Sequence, residues 1–276
     1  MDPTRVCVII SYWSERNPHN LLQLLSQMRR YSAGIPYSTT LVCNGGNSKP
    51  PAIPGTLKNS FKKIITRENT GYNLGAWECG WRAEDRSIDY FLFLQDECFI
   101  LRDNWLRAFV DKIQKRRSIG VLGESWGWDV SWEEAGSRAL QYPDCFEKTA
   151  DGKCISSFDI ALRWLKEKNL CVPKYADHLQ SLILFVGRRL LEEIDGFLPL
   201  SSKKHEAIAS EIFFSKKVQA LGYRIAQVHR RQFYYIGHPQ WTAHPGQSLV
   251  KSVVENLRRP LARIERGRNY FSNRNI

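Results

Sequence analysis

Short apolar runs alternate with amphipathic stretches along most of this chain. Residues 6–12 are apolar and rich in β-branched side chains, which predicts a buried strand. Asn17-Pro18 follows as a helix start, with Asn at the cap and Pro at the first helical position. Leu21, Leu22, Leu24, Leu25 and Met28 then recur at helical spacing. The same reading predicts strands over 39–43 and 61–66, a helix over 73–81 and a further helix over 105–114. Between those helices, residues 90–94 are almost wholly apolar. That pattern predicts a central strand covered on both faces.

Residues 119–173 show no regular period and read as irregular, with Trp126, Trp128 and Trp132 close together. Beyond them come a strand over 181–186, a helix over 188–194, a helix over 205–221 stopped by Gly222, and a strand over 223–228. Strands alternating with helices predict an α/β fold with a mostly parallel sheet flanked by helices on both faces. The expected division is one domain over 1–245 and a basic, helical C-terminal extension over 246–276. In such sheets, ligands bind beyond the carboxyl ends of the strands. Polar clusters stand at those ends: Ser11 to Ser14, residues 44–47, and Gln95-Asp96-Glu97.

Composition narrows the partners. The 276 residues suffice to bury a sizeable core, and nine Trp imply a large core, a pocket of flat rings, or both. The net charge of +12 draws polyanions, whether nucleic acid, anionic membrane or phosphorylated small molecules. Seven cysteines, an odd number without a Cys-x-x-Cys pair, predict neither a disulfide framework nor a zinc site, and so a reducing, cytoplasmic setting. A single Cys145–Cys154 bridge stays open. No stretch approaches the roughly 20 apolar residues of a membrane span, and the first apolar run is too short for a secretory signal. From Lys251 onward, seven Lys or Arg stand against Glu255 and Glu265. That tail is read either as a solvated helix or as a peripheral contact with the cytoplasmic face of an anionic membrane.

Four local patterns, in this order, resemble the GT-A fold (Rossmann-like) glycosyltransferases, most closely those of family 2. The first strand with Asn44-Gly45-Gly46-Asn47 resembles the nucleoside-binding edge. Glu68-Asn69-Thr70-Gly71-Tyr72-Asn73-Leu74-Gly75 resembles the Asn-x-Gly stretch that leads into the helix beside the donor. Phe91-Leu92-Phe93-Leu94-Gln95-Asp96-Glu97 resembles the strand ending in the metal-binding Asp-x-Asp, with Gln95 for the first Asp and Glu97 for the last. Ser210-Glu211, eleven to twelve residues before Gly222-Tyr223, resembles the acidic acceptor-side pair, with Ser210 for its first acid. The likeness covers roughly residues 5 to 240.

The resemblance implies a nucleoside-diphosphate sugar as donor, a hydroxyl on a growing glycan or glycolipid as acceptor, and inversion at the anomeric carbon. It implies Mg²⁺ or Mn²⁺, since hard carboxylate oxygens suit these ions at a leaving diphosphate. Neighbouring residues on a strand point to opposite sides, so one of the two carboxylates is expected to touch the metal; by position in the motif that is Glu97, with Asp96 the expected donor contact. His238, sixteen residues after Gly222, is the expected further ligand, with His229 and His244 as competitors. Ser11, Asn44, Asn69, Gly71 and Asn73 are the other expected donor contacts, with Arg67 as a phosphate partner, and Glu211 is the expected base. Trp126 and Trp128 either line the acceptor cleft or belong to the core. Two other classes are weaker. A basic nucleic-acid-binding protein lacks a recognisable motif, so no nucleic acid is expected. A GT-A-like nucleotidyltransferase would need a Gly-rich basic loop where Ser11-Tyr12-Trp13-Ser14-Glu15-Arg16 stands.

Overall fold

Strand β1 (Val6–Trp13) shows how the sheet is built. Val8, Ile10 and Tyr12 enter one hydrophobic cluster, while Cys7 and Ile9 enter another on the opposite face. A strand buried on both faces has no reason to alternate apolar with polar, which is why its sequence is a continuous apolar run. In the computed structural model, which describes residues 4–45 and 55–240 (side chains of 56 and 57 excepted), the remaining elements follow in βα order. They are α1 (His19–Arg30), β2 (Ser38–Asn44), α2 (Gly55–Lys58), β3 (Lys63–Arg67), α3 (Tyr72–Arg82), β4 (Tyr90–Gln95), β5 (Phe99–Ile100), α4 (Arg107–Lys115) and β6 (Ile119–Gly123). Next come α5 (Trp132–Ala139), β7 (Phe146–Lys148), β8 (Cys154–Ser156), α6 (Ser157–Glu167), β9 (Ile183–Gly187), α7 (Arg188–Glu193), α8 (Lys204–Ala220), β10 (Arg224–Gln227) and β11 (Ile236–Gly237). A 3₁₀ turn at Pro143–Cys145 precedes β7.

The main sheet runs β10-β6-β9-β4-β1-β2-β3. Every neighbouring pair is parallel except those of β9, which is antiparallel to both β4 and β6. The sheet is therefore mostly parallel, as expected, and β4 is its middle strand. Helices α1 and α4 cover one face, and α3, α7 and α8 the other. A third cluster joins α5, α6 and the first half of α8 beyond the sheet. Among the described residues, no helix is long and apolar enough to cross a membrane.

Two expectations are corrected. Helix α1 begins at His19, with Pro18 as its cap residue, and the Asn17 side chain accepts the His19 N–H at 3.0 Å. The stretch 119–173 is not irregular: it holds β6, two helices and a hairpin. Strand β6 was hidden by Gly120 and Gly123, whose missing side chains are replaced by Leu190 and Leu179 pressing in from other elements. Helix α6 carries a full capping box, with the Ser156 and Asp159 side chains each accepting the other's backbone N–H. All seven cysteines are free, so Cys145 and Cys154 form no bridge. Gly46, Asn47, the loop at 50–54, Trp241, His244 and the basic extension 246–276 lie outside the described residues.

Candidate functional site

The carboxyl ends of β1, β2 and β4 carry the predicted polar clusters to one edge of the sheet. Gln95-Asp96-Glu97 does not continue β4 as a strand. The Cys98 N–H closes a turn onto the Gln95 carbonyl at 3.0 Å, and Asp96 and Glu97 are its two central residues. The strand argument for opposite-facing carboxylates therefore does not apply, and burial separates them instead. Asp96 is 6% exposed, its backbone N–H held by the Ser11 carbonyl, and its Oδ2 is buried without a hydrogen-bond partner. Burial first, then the neighbouring Glu97 charge, pushes its carboxyl up to about 7. Glu97 lies further out, paired with Arg16, whose guanidinium also stacks over Trp13 at 5.0 Å. Trp13 is 40% exposed, a flat apolar surface at the rim of the edge that sequence reasoning passed over.

Asn44, Asn69, Gly71 and Asn73 are distributed differently from what the motif suggested. Asn44 is committed to the fold: Arg67 donates to its Oδ1 at 2.8 Å, and its amide donates to the Tyr72 carbonyl at 3.2 Å. Arg67 also donates to the Thr70 carbonyl at 2.7 Å, so it braces the loop before α3. In that loop Asn69 Oδ1 is buried and unpartnered, and Gly71 caps α3 with a left-handed backbone at φ 77°. The loop is wedged against the helix: a Cβ on Gly75 would stand 1.9 Å from the Thr70 carbonyl oxygen. Gly75→Ala must move backbone, since no flexible side chain can yield. We expect a loss of about 1–3 kcal/mol, in the range of core overpacking, read as a lowered thermal midpoint. An unchanged midpoint would refute the wedge. Ser11 is buried, and its hydroxyl donates to the Leu94 carbonyl at 3.4 Å.

The centre of the arrangement is Ser181, just before β9, which sequence reasoning read only as the start of a strand. Asn73 donates to its carbonyl and lies 3.2 Å from its hydroxyl, and Gln95 donates to the same carbonyl at 2.9 Å. From the other side, Ser181 donates its N–H (2.7 Å) and its hydroxyl to Glu211 Oε2, on α8. The second carboxylate oxygen, Oε1, lies 3.3 Å from His178 Nε2. Burial pushes Glu211 upward, but His178 and the two Ser181 donors outweigh it and leave the carboxyl below its ordinary value.

His238 arrives from a separate strap. Strand β11 pairs with β5, and Glu124, at the end of β6, accepts the backbone N–H groups of Tyr234, Tyr235 and Ile236 at 2.8 to 3.0 Å. Burial pushes the Glu124 carboxyl up to about 7 while these three N–H groups pull it down. The strap sets His238 Nε2 3.3 Å from Gln95 Oε1 and 3.7 Å from Glu97 Oε2. Gln240 N–H donates to His238 Nδ1 at 3.3 Å, so the ring proton sits on Nε2. Burial pulls this imidazole down to about 4, so it is neutral, with its Nε2–H facing Gln95 Oε1 and Glu97 Oε2. His229 does not join the site; it stacks on Tyr234, with ring centroids 3.7 Å apart.

Gln95, standing where an acid was expected, thus links the Ser181–Glu211 side to the His238–Glu97 side. The tryptophans divide. Trp128 stacks on Phe158 at 5.1 Å and packs with Trp132 on the third cluster, while Trp126 bridges to Leu179 and leans on the cluster of α3 and α8. A separate group, Glu147 of β7 with His205 and Glu206 of α8, brings three ligand atoms within 4.8 Å of one another. Lys203 Nζ already stands there as the cation, 3.1 Å from Glu147 and 3.8 Å from Glu206.

No family model matches the chain, and no curated protein matches it. Among solved structures it is similar to the bifunctional glycosyltransferase WbbM in its apo form, at 12% identity and a TM-score of 0.39, over 82% of this chain and 39% of that one. It is also similar to the mannosyltransferase PcManGT from Pyrobaculum calidifontis in complex with GDP-Man and Mn²⁺, at 13% identity and a TM-score of 0.44, over 82% of this chain and 56% of that one. The chain thus spans less than two thirds of the length of either protein, and at this similarity the likeness assigns no activity.

Proposed function

We propose that this chain is an inverting GT-A-type glycosyltransferase that moves a sugar from a nucleoside diphosphate to a hydroxyl acceptor, on a glycan or glycolipid. The observation that carries the reading is the convergence of Asn73, Gln95 and Glu211 on Ser181, beside a turn that buries an unpartnered carboxylate oxygen of Asp96. A buried anion without a donor is costly, and a cation is the partner that relieves it. The carboxylates therefore fit a hard divalent ion, Mg²⁺ or Mn²⁺, held by Asp96 and Glu97, and His238 would join them only after giving up the proton on Nε2. When bound, that ion neutralises charge on the leaving diphosphate.

The chain's own residues take the other roles. Arg16, paired with Glu97 at the mouth of the turn, meets the diphosphate. Trp13 offers its exposed ring to the nucleobase, and Asn69 and the Gly71 backbone line the donor. Ser181 holds Glu211 in place so that its carboxylate accepts the hydroxyl proton as the acceptor oxygen attacks the anomeric carbon. Trp126 borders the acceptor side, and the basic 246–276 extension is the segment proposed to meet an anionic membrane.

A thermal-shift screen tests this directly, with nucleoside diphosphates and their sugars (GDP-mannose among them), each with and without Mn²⁺. A ligand at about a hundred times its Kd adds roughly 2.7 kcal/mol to the folded state, so a shift of several degrees is expected for the matching pair. No shift with any of them would refute the reading. In Glu97→Ala the Mn²⁺-dependent part of the shift is expected to vanish while the apo midpoint holds. A persisting Mn²⁺ effect would move the metal away from Glu97.

A further inference from the structure

We propose that His178 is the positioning residue of Glu211, a clamped imidazole whose N–H holds the carboxylate ionised and aimed at the acceptor. The proposal rests on Glu211 acting as the base. His178 lies in the loop before β9 and is 5% exposed. Its ring cannot turn away. Gly127 passes so close beneath it that a Cβ there would stand 2.3 Å from ring atoms, and Gly127 N–H donates to the His178 carbonyl at 2.6 Å. Phe158 meets the ring edge-on, with centroids 5.8 Å apart.

Each ring nitrogen is then assigned by what it faces. Nδ1 lies 3.1 Å from the Ala176 carbonyl oxygen, which only accepts, so Nδ1 carries a hydrogen. Nε2 lies 3.3 Å from Glu211 Oε1. One proton belongs between that nitrogen and that oxygen, since two facing lone pairs would repel. The Ser181 N–H and hydroxyl on Oε2 favour the ionised carboxylate, so the proton rests on Nε2. His178 is thus a double donor, and Glu211 keeps a carboxylate lone pair for the acceptor hydroxyl. In the transfer step the hydroxyl proton goes to Glu211, the acceptor oxygen bonds to the anomeric carbon, and that carbon's bond to the diphosphate oxygen breaks. His178 exchanges no atom.

Other titratable groups facing the pair are few. Cys145, on the 3₁₀ turn, feels the Glu211 charge. Asp177, adjacent in the loop, is paired with Lys216 of α8 at 2.8 Å.

The test has two arms on the full chain. In the first, histidine ring nitrogens are labelled with ¹⁵N and their shifts read at neutral pH, the His178 signals being identified by their loss in His178→Asn. Both His178 nitrogens are expected in the N–H form, and Glu211→Gln is expected to return Nε2 to a bare nitrogen. A bare Nε2 in the unmutated chain overturns the proposal, with no need for turnover. In the second arm, turnover is measured with the nucleoside-diphosphate sugar that stabilises the chain most. His178→Gln and His178→Asn are expected to lower kcat about ten- to a hundredfold without changing KM for the donor. Without the adjacent cation the Glu211 carboxyl holds its proton more tightly, so the acid limb of the kcat profile moves to higher pH. A folded His178 variant with unaltered kcat and acid limb overturns the proposal, while an active Glu211→Gln overturns the base reading beneath it.

Discussion

Glu211→Gln is expected to slow sugar transfer by about a thousandfold, the middle of the range for a lost general base, while the protein stays folded. The two halves of that expectation have separate causes. The amide has almost the shape of the carboxylate, and its oxygen can still accept the Ser181 N–H and hydroxyl that now meet Glu211 Oε2. Its NH₂ group then faces His178, which lies 3.3 Å from Oε1. A neutral His178 with a bare Nε2 accepts that N–H, so no buried polar group is left unpaired. What the amide cannot do is take a proton. Turnover at saturating donor and acceptor, together with the thermal midpoint, reads both halves. A variant that keeps its midpoint and most of its kcat would remove Glu211 from the reaction, and one that collapses would make it a structural group.

Lys217→Met carries the largest expected loss of stability. The Lys217 ammonium is buried against the other face of α8, where it donates to the carbonyls of Ile194, Gly196 and Leu198 at 2.7, 2.7 and 2.9 Å. Burial pulls its pKa down to about 8, with Glu78 and Asp195 opposing, so it carries its charge at neutral pH. Those three carbonyls belong to the turn after α7. The same turn places Phe197 against Phe93 (5.1 Å) and Phe214 (4.6 Å), and its backbone N–H on Glu78. Methionine fills the space but donates nothing, so three buried acceptors lose their partner at once. At about 1–3 kcal/mol for each unsatisfied group, with some relief by water, the expected cost is about 3–5 kcal/mol. For a chain of this size that lowers the midpoint by on the order of 10 °C. Lys203→Met, on an exposed side chain at the start of α8, is the control and is expected to change stability by under about 0.5 kcal/mol. A Lys217→Met midpoint within two degrees of the unmutated protein would show that the turn holds itself.

Much of this molecule is legible in the order of its residues. The strands β1 and β4 declare themselves because both faces are covered, so apolar side chains are needed at all but their polar carboxyl ends. Helix α8 declares its end through Gly222, which holds a left-handed backbone at φ 85°. The acidic turn at Asp96 and Glu97 is visible as charge directly after an apolar strand, whereas Glu211 is singled out only by the family resemblance, through its distance from Gly222. Helix α6 could have been read from its capping box at Ser156 and Asp159.

Tertiary structure alone decided how these pieces meet. Ser181 gathers partners 108, 86 and 30 residues away in Asn73, Gln95 and Glu211. A serine before a strand carries no local sign of such a role. The antiparallel setting of β9 brings the loop containing His178 and Ser181 to the same edge as the end of β4, and no period in residues 183–187 encodes that direction. The same holds for the acidic turn. Its charges are written in the chain, but the burial that strips Asp96 Oδ2 of every donor comes from the elements packed around it. Local spacing sets which side chains an element turns inward. Which of them then touch is set by the packing of distant elements, where desolvation and donor geometry act between residues that are far apart in sequence.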